Sequence, residues 1–240
     1  MFTFINQLAR FSRFVLPSQC IMCHSTTANP SSLCHLCHDR LPILQHKCAL
    51  CAQYFPFDAA EGTLCATCLK NAPPFDQLIA AYPYCEPISH WISKLKFQHE
   101  LIYADVLGHL LTEKIKTCWQ SHRTPPTVIL PIPLHQERLQ ERGFNQAIEI
   151  ARPISHILNI PLDIAGTRRV KHTTAQTSLS GAERRRNLAN AFASSHSYKG
   201  KSIAVLDDVI TTGQTVYEYC TLLKSQGAES IAVWCCARAF

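Results

Sequence analysis

The sequence lacks an uninterrupted apolar segment of the length that a signal peptide or a membrane span requires. The stretch from Met1 to Leu16 is amphipathic at helical spacing, but Arg10 and Arg13 fall inside its apolar part. We therefore expect neither a secretory leader nor a transmembrane helix. Instead, the pattern predicts an amphipathic helix over residues 1–19 that packs on the rest of the protein, with a weak membrane or partner contact as the alternative.

A strong excess of one charge sign is also missing. Lysine and arginine number 23 against 17 acidic residues, which gives a net charge of +6 over 240 residues. This charge suits polyanionic partners such as nucleic acid or phosphorylated metabolites, but it is too small to identify one. Because 47% of the residues are hydrophobic, we expect a folded core, and the length allows one mid-sized domain with a small one.

Cysteine, in contrast, is abundant and regularly spaced. Eight of the 13 cysteines form four C-x-x-C pairs within the first third of the chain. Zinc ribbons need this spacing because two thiolates on one turn bind the same tetrahedral ion, whereas secreted disulfide domains seldom show it. We predict a double zinc-ribbon module over residues 20–72, with structural zinc, in a reducing, cytosolic compartment. Free or redox-active thiols are the alternative.

The simplest ligand assignment is two successive ribbons, although the spacing allows a cross-braced pairing equally well. In the simplest assignment the first zinc ion is bound by Cys20, Cys23, Cys34 and Cys37, and the second by Cys48, Cys51, Cys65 and Cys68. His24, His35 and His38 adjoin these pairs. Since four thiolates already complete a structural site, we expect the histidines at the surface.

The composition changes near residues 71–74, and the region 73–240 has the pattern of an α/β domain. Its clearest feature is an apolar run that ends in Asp207 and Asp208 and leads through a short loop into a helical pattern. Such a loop binds phosphate, because backbone N–H groups and the helix dipole attract an anion. The predicted phosphate-binding residues are Thr211, Thr212, Gly213, Gln214 and Thr215. The two carboxylates would instead contact ribose hydroxyls or a hydrated Mg²⁺ ion.

Further elements are predicted around this loop. Residues 127–130 and 230–237 are typical of buried parallel strands, and residues 162–167 of a short strand. Helical spacing of apolar residues predicts helices over 88–96 and 101–115. Ligands of such sheets lie beyond the carboxyl ends of the strands.

Three groups of basic residues are candidates for binding an anion at that edge. Arg138 and Arg142 follow a predicted strand, and their bidentate hydrogen bonds suit a pyrophosphate. Lys94 and Lys96 end a helix, so a favourable contact with the helix dipole is the alternative explanation. The basic segment from Arg168 to Arg186 predicts a mobile loop that closes over an anionic ligand, with a solvated basic surface as the alternative.

The run from Ser202 to Thr215 resembles the loop that binds phosphoribosyl pyrophosphate (PRPP) in type I phosphoribosyltransferases: four apolar residues, two acids, two apolar residues and Thr-Thr-Gly-x-Thr. Together with the cysteine pairs, the Leu95-Lys96-Phe97 element and the Arg-Gly-Phe-Asn-Gln-Ala stretch at 142–147, it makes the sequence similar to the ComF family of competence proteins. The similarity runs from about Cys20 to the end. It implies a zinc-ribbon module on a type I phosphoribosyltransferase domain, an α/β fold with a mostly parallel sheet flanked by helices.

The resemblance also implies a role in natural transformation. The protein would bind PRPP with Mg²⁺ and assist the uptake or handling of single-stranded DNA, beside a DNA-translocating ATPase at the cytoplasmic side of the inner membrane. By the same resemblance, Asp207 and Asp208 hold the ribose hydroxyls with Mg²⁺, residues 211–215 bind the 5′-phosphate, and Arg138 and Arg142 contact the pyrophosphate. The resemblance assigns no catalytic residue.

Two other functions stay open at this point. One is an active phosphoribosyltransferase that transfers phosphoribosyl from PRPP to a base or amine acceptor, and the other is a regulator in which PRPP changes the affinity for a protein partner. The loop alone cannot separate them, because it serves binding and chemistry alike. Since the sequence ends soon after the last predicted strand, we expect any base recognition to come from the N-terminal half.

Overall fold

The computed structural model describes residues 18–29, 31–119, 125–171 and 191–240. The chain divides into two compact units, with the boundary between Pro42 and Ile43. The first unit contains the first two C-x-x-C pairs, and the second contains the other two together with the α/β domain. Residues 1–17, and with them nearly all of the predicted N-terminal helix, lie outside the described residues. The predicted domain limits at residues 20–72 and 73–240 stay predictions.

The first unit is built around two cysteine turns. Strands β1 (Ser18–Gln19) and β2 (Thr26–Thr27) pair antiparallel on either side of the first turn, and helix α1 (His35–His38) follows the start of the second. The last two residues of the predicted N-terminal helix are therefore strand, because their backbone pairs with β2. Among the described residues of this unit, the buried apolar side chains besides cysteine are Leu33 and Leu41.

The second pair of cysteine turns packs against the edge of a sheet. Its second turn leads into helix α2 (Ala66–Lys70), which is followed by strand β3 (Gln77–Pro83). The backbone N–H of Leu78 in β3 donates to the carbonyl of Leu50 in the first turn, at 2.8 Å. The ribbon thereby satisfies part of a strand edge that would otherwise be open to pairing with another chain.

Among the described residues of the second unit, the main sheet has four parallel strands. Strand β3 pairs with β8 (Ser230–Arg238), β8 with β7 (Ser202–Ile210), and β7 with β4 (Val128–Pro131), so the order is β3-β8-β7-β4. Continuous apolar runs suit these strands because parallel sheets are buried on both faces. The predicted α/β fold with a mostly parallel sheet is confirmed.

Helices flank this sheet on both faces. Alternate strand residues, among them Ile203 and Val205, share one apolar cluster with Val216 and Leu223, which lie on the last helix. The residues between them point to the opposite face, where three other helices contact the strands. These helices are α3 (Ile88–Gln98), α4 (Ile102–Trp119) and α6 (Gln146–Leu158), and the last helix is α7 (Gln214–Ser225). The two helices predicted over 88–96 and 101–115 are confirmed, and each extends further at its C-terminal end.

Two contacts fix the position of α6. It crosses α4 closely at Gly108, where a Cβ atom would touch Pro153 and lie 2.8 Å from the carbonyl oxygen of Ile150. Asn145 caps the helix by accepting a hydrogen bond from Ala147 N at 2.9 Å, and its own amide donates to Ile132 O at 3.0 Å. The start of α6 is therefore tied to the carboxyl end of β4.

A small hairpin lies outside the main sheet. Strand β5 (Thr167–Arg169) pairs antiparallel with β6 (Phe192–Ser194). Of the strand predicted over 162–167, Leu162 forms a parallel bridge with Ile129 of β4, and Thr167 begins β5. The residues between them are not a strand, because Asp163 Oδ1 accepts the N–H groups of Ala165 and Gly166 (3.1 and 2.8 Å) and turns the chain there. Within the described residues, no helix combines the length and the apolarity that crossing a membrane requires.

Candidate functional site

Strand β7 leads into residues 211–215, a short loop with the first two residues of the next helix, which we call the threonine loop. Gly213 adopts a left-handed conformation (φ 77°), which favours glycine, directly before α7 begins at Gln214. The hydroxyl of Thr212 accepts a hydrogen bond from Gln214 N at 3.4 Å. Thr211 and Thr212 are exposed. A ligand can therefore reach both the loop and the first N–H groups of the 12-residue helix.

The two acids near the end of β7 point to opposite faces of the sheet. Asp208 is 2% exposed and lies on the face covered by α3 and α6. Lys96 of α3 forms an ion pair with its Oδ2, and Gln146 Nε2 of α6 donates to its Oδ1 at 3.1 Å. Burial alone would lower the pKa of Lys96, but the charge of Asp208, the hydrogen bond to it and the charge of Asp207 together raise it. Lys96 is therefore protonated, and its half-buried charge is compensated by Asp208.

Arg142 joins this group through Gln146. Helix α5 (Gln136–Arg142) ends with it, and its Nη1 donates to Gln146 Oε1 at 2.7 Å. The guanidinium also lies over the ring of Phe97, 5.8 Å from its centroid. Burial lowers the pKa of Arg142. The charge of Asp208 raises it, and the charge of Arg138 lowers it further. The side-chain amide of Gln146 therefore connects the guanidinium of Arg142 to the carboxylate of Asp208.

Asp207 is half-buried on the other face of β7. Its Oδ1 accepts a hydrogen bond from the backbone N–H of Asp208 at 2.9 Å. Burial and the adjacent charge of Asp208 raise the pKa of Asp207 to about 8. On this side Arg169 of β5 lies over the ring of Phe192 at 5.6 Å, and the charge of Asp207 opposes the lowering of the Arg169 pKa by burial. Asp207 is thus the more accessible carboxylate, and a cation beside it would favour its charged form.

The remaining predicted cations lie elsewhere. Lys94 donates to Gln98 at 2.6 Å and to Glu100 at 3.2 Å, which supports the explanation that it stabilises the end of α3. Arg168 is exposed in β5, and no described contact joins it to the acids. Because Arg168 is in a strand, the predicted mobile loop does not begin there. Arg186 and most of that loop lie outside the described residues.

Each pair of cysteine turns gathers four thiols. The two sets are sequential, and in each set the four sulfur atoms lie within 4.8 Å of one another. The sets are Cys20, Cys23, Cys34 and Cys37, and Cys48, Cys51, Cys65 and Cys68. This confirms the simplest predicted pairing over the cross-braced one. All cysteines of the chain are free of disulfide bonds.

The two sets fit structural zinc ions. Burial raises the pKa of Cys37 to about 12 and that of Cys51 to about 11, so these two thiols stay protonated when no cation is bound. A divalent cation at the centre would reverse this shift by stabilising thiolates. The adjoining histidines lie at the surface, where His35 and His38 pair with Asp39 at 3.0 and 3.5 Å. The expected surface position is confirmed for His24 and His35, and His38 is half-buried.

Beside the acids and the threonine loop, Gln146 and Arg238 are missing from the sequence-based candidates, and Arg169 is included only as part of the predicted basic loop. Gln146 had a signal, because Asn145 is a favourable N-cap and places the next side chain at the first helical position, beside the strand ends. Arg169 cannot be told apart from its basic neighbours in sequence. Arg238 ends an otherwise apolar strand, which is an unusual place for a charge.

Comparisons with known proteins agree with this architecture. The family model for the double zinc ribbon domain matches residues 11–69, and that for the phosphoribosyl transferase domain matches residues 145–239. A purine phosphoribosyltransferase structure from Pyrococcus horikoshii is 22% identical and covers 56% of this chain and 72% of its own, with a TM-score of 0.34. That score is too low to carry an argument.

Two relatives match most of the chain. Competence protein F of Haemophilus influenzae is 38% identical over 179 residues, which cover 73% of this chain and 78% of the relative. DNA utilization protein YhgH of Escherichia coli (strain K12) is 36% identical over 178 residues, which cover 72% of this chain and 77% of the relative. With this identity and coverage, the chain belongs to the ComF family of competence protein F and YhgH, with a double zinc ribbon and a phosphoribosyltransferase domain.

Proposed function

We propose that this chain binds PRPP with Mg²⁺ and acts in natural competence by handling imported single-stranded DNA. The observation that carries the proposal is the end of β7, where Asp207 and Asp208 precede the threonine loop and a helix capped by Gly213. Asp208 is neutralised by Lys96, whereas Asp207 is more accessible. The site thus offers N–H and hydroxyl donors at one end and a carboxylate at the other, which suits a sugar phosphate.

Each part of PRPP has a matching group in this arrangement. The 5′-phosphate would accept hydrogen bonds from the threonine loop. The ribose hydroxyls would donate to Asp207, which would also hold Mg²⁺, and that ion supplies neutralising charge for the pyrophosphate. Arg142 and Arg138, four residues apart on one side of α5, would contact the pyrophosphate by bidentate hydrogen bonds. Lys96 holds Asp208 and is not needed for the ligand.

The surface beside the site supports the nucleic-acid part of the proposal. The side chain of Phe97 is 71% exposed and adjoins the Arg142 guanidinium. An exposed ring next to a cation suits the stacking of an unpaired base together with contact to its phosphate. The relatives are named for competence and for DNA utilization. We place the activity at the cytoplasmic side of the inner membrane, beside a DNA-translocating ATPase.

The test of PRPP binding is ³¹P NMR of PRPP with Mg²⁺ and stoichiometric protein. We expect the phosphorus resonances to shift or broaden. Thr212→Val should weaken binding by about tenfold or more, because it removes a hydrogen bond to a charged group. Thr221→Val is the matched control, since Thr221 is exposed on α7 well beyond the loop, and should bind like the wild type. An unchanged phosphorus spectrum would contradict PRPP binding.

The same experiment separates binding from turnover. Pyrophosphate that accumulates only with an acceptor, and not in Asp207→Asn, would identify the alternative, an active phosphoribosyltransferase. The second arm is binding of a fluorescent single-stranded oligonucleotide over a series of salt concentrations. Affinity should fall steeply with salt because phosphate contacts release counterions. Absent or salt-independent binding would contradict the DNA part of the proposal.

A further inference from the structure

Arg238 is a buried charge in an otherwise apolar strand. It ends β8, is 5% exposed, and lies in register with Ile210 of β7 and Pro83 of β3. A buried guanidinium is unfavourable unless its N–H groups are hydrogen-bonded. The structure gives Arg238 acceptors from two separate parts of the chain.

One set of acceptors lies at the threonine loop. Arg238 Nη1 donates to the carbonyl of Ile210 at 3.0 Å, and to the carbonyl of Thr211, the first residue of the loop. The same nitrogen donates to Ala239 O at 2.9 Å, and Ala239 N donates to Ile210 O at 3.0 Å. A single side chain therefore holds the end of β7 and the start of the loop.

The other set lies in the first turn of the second four-cysteine site. Arg238 Nε donates to the carbonyl of Cys51 at 3.4 Å, and Nη2 donates to Gln53 Oε1 at 2.9 Å. The turn itself is closed by hydrogen bonds from Ala52 N to Cys48 O (3.0 Å) and from Cys48 N to Gln53 O (2.8 Å). The position of these two acceptors thus depends on the geometry of the cysteine turn.

The shape of the guanidinium makes the two sets interdependent. Its N–H groups lie in one rigid plane, so a rotation that follows one set of acceptors moves the donors away from the other. If the cysteine turn opens, the buried guanidinium has to reorient, and the loop carbonyls lose a donor. A lysine could not replace it, because one ammonium group cannot span both sets.

We propose that Arg238 is a positioning residue through which the second four-cysteine site holds the threonine loop in its ordered conformation. The metal state of that site would therefore set the order of the loop. The first four-cysteine site, which belongs to the other compact unit, would have no such influence. This coupling can be measured without any phosphate ligand.

The test is hydrogen–deuterium exchange of the full, zinc-loaded chain without ligand. In Arg238→Met, peptides that cover residues 209–217 should exchange about fivefold faster or more, because loop hydrogen bonds are lost. Peptides that cover residues 203–206 of β7 should keep wild-type exchange. Arg238→Lys should behave like Arg238→Met, and full rescue by lysine would show that charge alone matters, against the proposal.

The coupling itself is tested at the metal sites with a matched pair. Cys68→Ser removes a ligand of the second site, and Cys37→Ser removes the corresponding ligand of the first; both cysteines are 7% exposed and lie in short helices. Cys68→Ser should speed exchange of the loop, and Cys37→Ser should not. In the Arg238→Met background, Cys68→Ser should add nothing further, since the connection is already broken.

Equal effects of the two cysteine variants, or an effect of Cys68→Ser that persists in full without Arg238, would overturn the proposal. If Arg238→Met speeds exchange throughout the sheet, Gln53→Ala decides, because it removes one ribbon-side acceptor and leaves Arg238 in place. Faster loop exchange in Gln53→Ala then supports the coupling, and wild-type exchange contradicts it. A failure here leaves PRPP binding untouched, because no arm of the experiment uses PRPP.

Discussion

The two four-cysteine clusters have the same ligands on the same C-x-x-C turns, but they lie in different surroundings. In the first unit, Cys20 and Cys37 are buried beside few apolar side chains, of which Leu33 and Leu41 are described. In the second unit, Leu44 and Ala52 on either side of Cys48 belong to the apolar cluster of the sheet itself. The first cluster thus has to fold with the help of its metal, whereas the second, with a small apolar cluster around Phe55, adjoins the larger core of the sheet.

This difference shows that the ligand pattern does not determine what a metal site supports. The first turn of the second cluster accepts hydrogen bonds from β3 at Leu50 and from Arg238 of β8 at Cys51. A metal ion there would therefore hold carbonyl groups that are bonded to the sheet. The first cluster lies in a compact unit of its own. Variants that affect one cluster at a time can test this contrast.

The largest expected effect comes from the cysteines themselves. Cys68→Ser should lower the free energy of unfolding of the second unit by at least about 3 kcal/mol, because zinc binding is folding free energy. Cys37→Ser should leave that value unchanged. Denaturant unfolding followed by tryptophan fluorescence measures it, since Trp91 and Trp234 are buried in the second unit. Zinc analysis should find one ion lost in each variant, and equal destabilisation by both would refute the contrast.

A smaller effect is expected from two leucines that are three residues apart. Leu44 is 7% exposed in the apolar cluster of the sheet, and Leu41 is 6% exposed in the first unit. Leu44→Ala should destabilise the second unit by about 2 to 4 kcal/mol through lost burial and a cavity. Leu41→Ala should change the same fluorescence transition by less than about 0.5 kcal/mol. A similar shift in both variants would mean that the boundary at Pro42 has no energetic meaning.

The sequence is enough to predict that β7 is followed by a loop and then by a helix. The apolar run, the two acids and the glycine-containing loop each have a local physical cause. The sequential zinc pairing is also within reach, although the spacing alone leaves the cross-braced alternative open. What the sequence does not reveal is that the second ribbon packs with the sheet. Composition changes only near residues 71–74, and the contacts of Leu50 and Arg238 join parts of the chain that are far apart in sequence.

The candidate site shows the same limit. Lys96, Asp207 and Asp208 are recognisable from position and type, yet the bond from Gln146 to Asp208 joins residues 62 positions apart. Periodicity places Gln146 on a helix but cannot say which strand its amide meets. The break in the strand predicted over 162–167 has a local reason, since Asp163 competes for backbone N–H groups that a strand would use.

The smallest expected effect lies at Asp163, in neither cluster. Its Oδ2 accepts the hydroxyl of Tyr198 at 2.9 Å, and Oδ1 accepts the turn N–H groups. Burial alone would raise the pKa of Asp163, but these hydrogen bonds hold it below its ordinary value of 3.8. The carboxylate therefore stabilises the fold above about pH 4, and this contribution is lost as the pH falls further.

Asp163→Asn should accordingly be less stable than the wild type at pH 7, by about 1 kcal/mol or less because the carboxylate is partly exposed. The difference should narrow as the pH falls below about 4, where the wild-type carboxylate takes up its proton. Thermal unfolding over a pH series measures it. Asp58→Asn is the control, since the Asp58 side chain is 95% exposed and its pair with His46 at 3.1 Å is a surface contact that contributes little, so this variant should stay close to the wild type. If the difference in stability between Asp163→Asn and the wild type instead widened in acid, Asp163 would not act as a charged acceptor. The hairpin would then owe its stability to burial, as the sheet does.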